Sequence, residues 1–569
     1  MLRLYPWLYC FMSVLAMNAI ASDRPPAQAI ASAHPLATQA GMAILNQGGN
    51  AFDAAVTVSA VLAVVEPYGS GLGGGGFWLL HQGASQKFIM IDGREKAPLA
   101  ATQNMFLDSQ GQVIPQLSRR GALAAGIPGQ PAALVHIAQK YGQLPLSVTL
   151  APAIDLARKG FAADQRYRNY VQRALSKLQQ FPSTADVFLS GVGVPALGEL
   201  IKQPDLAATL SQIAQHGQAG FYRGEVAQRL VDGVRKQGGI WQLADLQQYA
   251  IVERQPIVGT YHHRTIISAP PPSSGGVVLV QSLNLLQQWS AVDTHLIVEA
   301  MRRAYRDRAV YLGDPDFVDM PIQRLLSQAY AVAQAAATDL LRATPSQRLK
   351  GPSAVPATGE NTTHFSILDR AGNAVAATLS INTGFGSGYM PPGTGVLLNN
   401  EMDDFSIQPG FANAYGLVGG QANAIVPGKR MLSSMAPTMV KSKDGLAILG
   451  TPGGSRIISM VLLAILAHDQ QQAVFNWVSQ ARFHHQYLPD EIQFEPAAFT
   501  LSVQQALRAQ GHHLHKMNRR YGNMQVVFWD KRQHTVIAVS DPRGLGLSLV
   551  EVIQDDGKGS GVSVKKIGR

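Results

Sequence analysis

Two short, largely apolar segments on either side of a turn-rich stretch between residues 362 and 380 predict a β-hairpin. The first strand begins in Thr362-Thr363-His364-Phe365-Ser366, and the second occupies residues 374–380. The intervening Asp369-Arg370-Ala371-Gly372-Asn373 is rich in turn-forming residues. If the register is symmetric about Ala371, position 380 lies opposite position 362, and directly opposed residues on one face are about 5 Å apart at Cβ. The pattern therefore predicts that Ser380 lies beside Thr362.

Apolar runs upstream predict a helix followed by a second pair of strands. Residues 51–65 are rich in alanine and valine, which indicates a buried helix. A glycine-dense turn at 69–76 then leads into strands at 77–81 and 87–91.

The remainder of the chain divides into three parts. Residues 132–341 are predicted to be mainly helical, with one clear helix at 296–312. Residues 344–361 are rich in Pro, Gly, Ser and Thr and predict an exposed loop, the kind of place where a chain is cut. From 362 to about 502 strands and turns are expected, with a helix near 470–480.

A cut directly before Thr362 would change the chemistry of this residue. The new N-terminal amine could then serve as base for the hydroxyl of the same residue, which makes it a nucleophile. Ser380, which the hairpin places beside Thr362, could hydrogen-bond that amine. One hairpin therefore supplies a candidate nucleophile, base and orienting group.

The first 21 residues have the pattern of a secretory signal peptide. Arg3 precedes a mostly apolar run at 4–16, and Ala19-Ile20-Ala21 fits a small-residue cleavage site, with cleavage after Ala21 or Ser22. The alternative is an uncleaved membrane anchor. No other run approaches the roughly 20 apolar residues of a transmembrane helix, so we expect a periplasmic or secreted protein without stable membrane insertion.

Composition narrows the class of protein. With 569 residues, 55 glycines and 46% hydrophobic residues, the chain is globular, and its length suggests two or more domains. The only cysteine, Cys10, lies in the signal segment, so disulfides and thiol catalysis are not expected in the mature protein.

The formal net charge is +10, and loss of Arg3 with the signal lowers it by one. The basic doublets Arg119-Arg120, Arg302-Arg303 and Arg519-Arg520 are scattered along the sequence. Nucleic-acid binding requires charge clustered on one face, so we interpret these doublets as part of a solvated basic surface.

Two further motifs are weak evidence for a nucleotide site or a metal site. Gly71-Leu72-Gly73-Gly74-Gly75-Gly76 has dinucleotide-binding spacing, but it follows a helix and precedes a strand, the reverse of the context that the motif needs. His484-His485 and His512-His513-Leu514-His515 lack the spacing of a zinc site. No Gly-x-Ser-x-Gly nucleophile elbow is present. We expect no cofactor and no metal.

Several short motifs occur in a fixed order along the chain. In addition to Thr362-Thr363-His364 they are Gly71-Leu72-Gly73-Gly74-Gly75-Gly76-Phe77, Asp92-Gly93-Arg94-Glu95, Pro271-Pro272-Ser273-Ser274-Gly275-Gly276, Asn399-Asn400-Glu401-Met402-Asp403-Asp404-Phe405, Leu432-Ser433-Ser434-Met435 and Pro452-Gly453-Gly454-Ser455-Arg456. Each is weak alone. In this order they resemble the bacterial γ-glutamyltranspeptidases over nearly the whole mature chain.

The resemblance implies an α+β fold, the four-layer αββα sandwich of the N-terminal-nucleophile hydrolases. It also implies an inactive precursor in which Thr362 attacks the carbonyl of Asn361 and the chain is cut between them. The products would be a large subunit, residues 22–361, and a small catalytic subunit, residues 362–569, which together form a heterodimer.

The same resemblance implies the catalytic groups. The hydroxyl of Thr362 would attack the γ-carbonyl of a γ-glutamyl donor such as glutathione, and its freed amine would relay the proton. The backbone N–H groups of Gly453 and Gly454 would hold the oxyanion. Ser380 stands where relatives commonly have threonine, and the hydroxyl is retained.

The implied donor pocket must hold a zwitterion. Arg94, supported by Ser433 and Ser434, would bind the α-carboxylate. The α-ammonium would be bound by Asn382, Glu401 and Asp404. Taken singly, these residues have ordinary structural interpretations, such as an Arg94–Glu95 ion pair or turn-stabilising aspartates.

Residues 409–420 resemble the lid loop of bacterial relatives, with Tyr415 over the bound glutamyl group. A lid favours small γ-glutamyl compounds. The expected activity is transfer of the γ-glutamyl group to water, amino acids or dipeptides. The alternatives are a glutaryl-cephalosporin acylase of the same fold, or a non-catalytic relative that serves as a scaffold.

Overall fold

The computed structural model describes residues 24–352, 362–408, 410–554 and 561–565. The predicted signal segment and Asn361, one side of the predicted cleavage site, lie outside these residues. Among the described helices, none combines the length and the apolar character that crossing a membrane requires.

The described strands, in chain order, are β1 (Gln28–Ser32), β2 (Gly75–Gln82), β3 (Lys87–Gly93), β4 (Phe161–Ala162), β5 (Leu200–Ile201), β6 (Val252–Arg254), β7 (Ile257–Tyr261), β8 (Arg264–Ser268), β9 (Thr363–Leu368), β10 (Ala374–Ser380), β11 (Thr438–Ser442), β12 (Gly445–Gly450), β13 (Phe483–His484), β14 (Ile492–Phe494), β15 (Leu514–Lys516), β16 (Gln525–Asp530), β17 (Thr535–Ser540), β18 (Leu547–Gln554) and β19 (Gly561–Lys565).

The described α-helices are α1 (Pro35–Asn46), α2 (Ala51–Val65), α3 (Gln130–Tyr141), α4 (Leu146–Lys159), α5 (Gln165–Leu178), α6 (Pro182–Phe188), α7 (Pro204–His216), α8 (Ala219–Tyr222), α9 (Gly224–Lys236), α10 (Leu243–Gln247), α11 (Gly275–Leu286), α12 (Thr294–Tyr311), α13 (Ile322–Leu325), α14 (Gln328–Ala336), α15 (Ile457–Asp469), α16 (Val474–Ser479) and α17 (Leu501–Ala509).

Two antiparallel sheets are stacked at the centre of the fold. The first has the strand order β19-β18-β1-β9-β10-β2-β3-β6, and the second β17-β16-β12-β11-β8-β7. Along β2, Phe77 and Leu79 point into the core between the sheets, whereas Trp78 and Leu80 belong to the core beneath the helices. This alternation is the period-two pattern of a strand buried on both faces.

Helices cover the outer face of each sheet. Helix α1 packs on β1 and β18, and α2 packs on β9 and β10. On the other side α11 packs on β7 and β8, α15 on β12 and α16 on β16. The layers are therefore helix, sheet, sheet and helix, which confirms the αββα sandwich expected from the sequence.

Helix α2 confirms the predicted buried helix. All of its residues are buried, and Asn50 and Asp53 form a reciprocal capping box at its start. The N–H of Ala51 also donates to the Asp369 carboxylate in the turn between β9 and β10. The cap thereby ties the helix to the hairpin that carries Thr362.

Two secondary-structure predictions were incomplete. The helix predicted near 470–480 is present as α16, Val474–Ser479, but the longer helix before it, α15 at Ile457–Asp469, was missed. Helix α15 is apolar on nearly every face, so it shows no helical periodicity. The region predicted to be mainly helical also contains β6, β7 and β8, which extend the edges of both sheets.

The glycine run at 71–76 permits close backbone packing. A Cβ on Gly73 would lie 2.1 Å from the carbonyl oxygen of Leu397, and a Cβ on Gly74 would lie 2.1 Å from that of Ser380. Only residues without a Cβ allow these approaches. The run therefore holds the end of β10 in place, in a context unlike that of a nucleotide-binding turn.

We predict that Gly74→Ala displaces Ser380 and destabilises the fold by about 1–3 kcal/mol, the usual range for overpacking. Gly71→Ala is the matched control, because its Cβ would meet only the Ile381 side chain at 3.8 Å. Thermal unfolding of both variants measures the difference. Equal unfolding temperatures would contradict the role assigned to Gly74.

Candidate active site

The hairpin has the register that the sequence predicted. Thr363 pairs with Leu379 and Leu368 with Ala374, which is symmetric about Ala371. Extending this register by one pair places Ser380 opposite Thr362, and both residues line the same cavity. The Ser380 hydroxyl accepts a hydrogen bond from the N–H of Asn382 at 2.7 Å, which fixes its position.

The residues after Thr362 are anchored by buried polar contacts. The Thr363 hydroxyl donates to the Glu66 carboxylate at 2.7 Å, at the end of α2. His364 is hydrogen-bonded to the Thr378 hydroxyl at 2.8 Å, and burial lowers the pKa of His364 to about 3. A neutral, fully buried imidazole serves here to fix the strand, not to relay protons.

A small cavity of about 20 Å³ brings the sequence-predicted residues together. Its lining includes Arg94, Thr362, Ser380, Asn382, Glu401, Asp404, Tyr415, Ser433, Ser434 and Gly454. Gly453 lines the adjoining cavity, which Thr362 also lines. Except for Asn361, which lies outside the described residues, the predicted site residues thus converge on Thr362.

Arg94 is the cation around which the acidic side chains of this cavity are arranged. It is fully buried and forms ion pairs with Asp404 at 2.5 Å, Glu401 at 2.7 Å and Glu95 at 3.3 Å. Its Nε donates to the carbonyl oxygen of Met431 at 3.2 Å. The Arg94–Glu95 pair weighed from the sequence exists, but it is one of three.

Three carboxyl groups around one arginine cannot all be fully stabilised. Burial, opposed by the charge of Arg94, raises the pKa of both Glu95 and Glu401 to about 7. Burial and the neighbouring Glu401 raise the pKa of Asp404 to about 7 as well. Burial alone would lower the pKa of Arg94, but the three carboxylates outweigh it and raise that pKa. Near neutral pH this cluster is therefore close to taking up or losing a proton.

Two buried acceptors in the cavity lack hydrogen-bond donors among the described residues. They are Oδ1 of Asn382 and Oε1 of Glu401. The other side of the Asn382 amide donates to the carbonyl oxygen of Asn400 at 2.9 Å. An unsatisfied buried acceptor costs roughly 1–3 kcal/mol, so this corner of the cavity is suited to a ligand that brings N–H donors.

Glu401 and Asp404 are positioned by a short 3-10 turn, Glu401–Asp404. The side chain of Asn399 accepts hydrogen bonds from the N–H groups of Glu401 and Gly126, each at 2.9 Å. It also donates to the carbonyl oxygens of Gly73 and Gly126. The amide thus uses its full hydrogen-bonding capacity to fasten the acidic turn to the glycine run.

The two serines are held by a residue that the sequence analysis missed. Arg308, on α12, donates to the Ser434 hydroxyl at 3.3 Å and to the Ser274 hydroxyl at 3.0 Å. Ser274 in turn donates to the carbonyl oxygen of Ser433. Among the described residues no carboxylate forms an ion pair with Arg308, and burial lowers its pKa to about 10. Its only sequence signal was a place in the helix predicted at 296–312.

Gly453 and Gly454 have positive φ angles of 146° and 57° and begin the 3-10 turn Gly454–Arg456, which leads into α15. N–H groups at the start of a helix lack intrahelical acceptors and can donate to a ligand. The ring of Tyr415 lies against this turn, since a Cβ on Gly454 would be 2.2 Å from it. The Tyr415 hydroxyl donates to the carbonyl oxygen of Asn382 at 2.6 Å, so the loop is closed over the cavity.

His295, Glu299 and His512 form a buried cluster with the spacing of metal ligands. The two imidazoles are hydrogen-bonded to each other at 2.8 Å. Glu299 is paired with Arg302 and Arg303, which makes it a poor ligand for a cation. The interpretation of Arg302-Arg303 as solvated surface was therefore wrong, because both arginines are buried in this charge cluster.

Comparison with known proteins identifies relatives across almost the entire chain. The family model for gamma-glutamyltranspeptidase matches residues 37–550. The glutathione hydrolase proenzymes of Pseudomonas sp. (strain A14) and Escherichia coli (strain K12) are 42% and 40% identical, covering 88% and 91% of this chain and 89% and 90% of theirs. A solved cephalosporin acylase from Bacillus halodurans superposes with a TM-score of 0.80 at 27% identity, covering 96% of this chain and 99% of that one.

The raised carboxyl pKa values predict a pH-dependent stability. The folded protein holds protons that the unfolded chain releases, so stability falls as pH rises from about 4.5 to about 7. Glu401→Gln removes one of the three acids, and we expect a decline between pH 5 and pH 8 that is smaller by on the order of 1 kcal/mol.

Urea unfolding across this pH range provides the measurement. Glu225→Gln is the control, since Glu225 is exposed and, among the described residues, forms an ion pair with Arg229 alone, on the same helix. A Glu401→Gln variant with the wild-type pH slope would show that the cluster does not titrate in this window.

Proposed function

Because the chain belongs to the gamma-glutamyltranspeptidase family, we propose that it is a self-cleaving γ-glutamyltransferase and glutathione hydrolase. Its donors are glutathione and related γ-glutamyl amides. Water as acceptor gives glutamate, and an amino acid or dipeptide gives a new γ-glutamyl compound. The N-terminal pattern supports action in the periplasm or outside the cell.

The observation that carries this proposal is a pocket beside Thr362 that contains both positively and negatively charged side chains. A γ-glutamyl donor presents an α-carboxylate and an α-ammonium on one carbon. Arg94 offers the cation, and Glu401 and Asp404 offer anions within 2.7 Å of it. The unpaired oxygen of Asn382 adds an acceptor. The hydroxyls of Ser433 and Ser434 lie on the same wall and support carboxylate binding.

The position of Thr362, directly before β9, supports self-cleavage at this residue. Its hydroxyl attacks the carbonyl carbon of Asn361, the peptide C–N bond breaks, and an ester joins the two parts. Water then hydrolyses the ester, leaving the large subunit, 22–361, and the small subunit, 362–569. The α-amine released on Thr362 becomes the base for the next reaction.

Turnover uses the same groups. Thr362 Oγ attacks the γ-carbonyl of the donor, and its proton passes through the α-amine, held by Ser380, to the departing amine. The N–H groups of Gly453 and Gly454 stabilise the oxyanion, and each such donor is typically worth about 3 kcal/mol. Attack by water or an acceptor amine on the ester then breaks the bond to Thr362 Oγ.

The closed loop favours small donors. Tyr415 is buried and hydrogen-bonded to the backbone of Asn382. A cavity of about 20 Å³ has room for roughly one water molecule, so the glutamyl group enters only when Tyr415 moves. Gly410 and Gly416, which have positive φ, flank Tyr415 and allow that movement.

The second candidate is an acylase of the same fold, which the similarity to the Bacillus halodurans cephalosporin acylase favours. A glutaryl group has no α-amine. In such an enzyme the acceptors of Asn382 and Glu401 would stay unpaired beside the substrate. A non-catalytic scaffold is the third possibility, and the convergence of nucleophile and donors on one cavity argues against it.

We predict that Thr362→Ala yields one uncut chain without activity, whereas Thr362→Ser, which keeps the hydroxyl, is still processed. Intact mass and N-terminal sequencing of the purified proteins measure the outcome. Two chains in the alanine variant, one beginning at position 362, would show that a protease or another residue makes the cut.

We also predict that a γ-glutamyl anilide is hydrolysed at least about 10²-fold more efficiently than the glutaryl anilide, because the latter leaves buried acceptors unpaired. Asp404→Asn should lower kcat/KM for the γ-glutamyl compound far more than for the glutaryl one. Preference for the glutaryl anilide would favour the acylase and refute the ammonium-binding roles of Glu401 and Asp404.

A further inference from the structure

Thr362 also lines a much larger opening that adjoins the donor pocket. This opening consists of two neighbouring cavities of about 320 Å³ and 620 Å³, which share Tyr170, Arg173 and Arg519. Thr362 and Gly453 line the smaller cavity. We call the two together the arginine cleft.

Eight different Arg or Lys side chains line the cleft, and no Asp or Glu of the described residues does. They are Arg119, Arg120, Arg166, Arg173, Lys177, Arg519, Arg520 and Arg543. A concave site lined by charge of one sign concentrates ligands of the opposite sign. The cleft therefore attracts anions.

Some of these charges are already neutralised. Arg119 pairs with Asp403 at 3.0 Å, and Arg543 pairs with Glu495 at 2.7 Å. By contrast, Arg120, Arg173 and Arg520 are exposed and form no ion pair with any carboxylate of the described chain. These guanidinium groups are available for bidentate contact with a carboxylate.

The wall of the cleft is preorganised. Arg166 and Arg173 lie 5.4 Å and 5.7 Å from the ring centroid of Tyr170, in cation–π geometry. Tyr170 stacks on Tyr68 at 4.2 Å, beside the glycine run. Lys177 donates to the carbonyl oxygens of Gly384 and Gly386. Little side-chain entropy remains to be lost at this wall when a ligand binds.

Of the donor pocket and the arginine cleft, only the cleft has room for the part of a donor beyond its glutamyl group. Thr362 lines both the cleft and the donor pocket, which holds the glutamyl group in the proposed function. The amine that leaves, and the acceptor that replaces it, therefore occupy the cleft. Positive charge there also lowers the pKa of an acceptor ammonium, which must lose its proton before it can attack.

We propose that the arginine cleft is a carboxylate-binding subsite that selects acidic peptides as acceptors and as leaving groups. This inference rests on the proposed transferase function. The preferred acceptor carries a carboxylate in addition to its C-terminal one, and cationic acceptors are disfavoured. Arg173 and Arg520 provide this preference for acidic acceptors. The steps of bond making and breaking at Thr362 are the same for every acceptor.

The test compares glycyl-glutamate with glycyl-glutamine as acceptors from a γ-glutamyl anilide, using the processed two-chain enzyme. The two dipeptides are nearly equal in size and differ in one charge. We expect acceptor kcat/KM to be about two- to fivefold higher for glycyl-glutamate near 20 mM salt, the range that exposed charge pairs give. The preference should shrink at about 300 mM salt, where such charges are screened.

Matched variants locate the effect. Arg173→Gln/Arg520→Gln should bring the ratio close to one, and Arg173→Lys/Arg520→Lys should keep part of it. Arg235→Gln makes the same substitution at an exposed arginine on α9 that lines neither cavity, and it should keep the full preference. If the glutamine double variant fails to fold, the salt dependence of the wild-type ratio still decides.

Failure of this inference differs from failure of the proposed function. Wild-type hydrolysis of the anilide without acceptor reports the Thr362 ester chemistry alone, and its absence would overturn the proposed function. Normal hydrolysis with equal kcat/KM for the two dipeptides would overturn the carboxylate subsite. A preference that persists unchanged in Arg173→Gln/Arg520→Gln would also overturn it.

Discussion

Close backbone contact between the glycine run and the end of β10 sets the geometry of the whole site. Gly74 lies against the carbonyl of Ser380, and Gly73 lies against that of Leu397. Because Asn399 binds the carbonyl oxygen of Gly73 and the N–H of Glu401, the same contact positions the acidic turn. The strand that follows Thr362, the Ser380 hydroxyl and the carboxylates of Glu401 and Asp404 are thus fixed by one close-packed junction.

Much of this junction could be predicted from the sequence, because its signals are local. The hairpin register follows from turn residues around Ala371, and α2 follows from an unbroken apolar run. Helix α15 was missed since it is buried on nearly every face and so has no period to detect. Sequence spacing also says nothing about Arg308, whose contacts with Ser274 and Ser434 join distant segments.

The basic doublets show that the sequence also does not reveal where charged residues lie in space. All three look alike in sequence, yet Arg302 and Arg303 are buried against Glu299, whereas Arg119-Arg120 and Arg519-Arg520 line the two cavities of the arginine cleft. Scattered charge along a chain does not mean scattered charge in space. Only the fold decides whether a basic residue is neutralised, solvated or directed at a ligand.

The ion pairs of Arg94 imply how a zwitterion would enter the donor pocket. Before binding, Arg94 is satisfied by Glu401 and Asp404, so the buried charges compensate one another. A donor can replace this arrangement by exchange, its α-carboxylate taking the guanidinium and its α-ammonium taking the two carboxylates. A glutaryl group supplies only the first half of the exchange and would strand two buried acids. In the proposed function, selectivity for the α-amine would therefore follow from charge balance as well as from the hydrogen bonds that the amine makes.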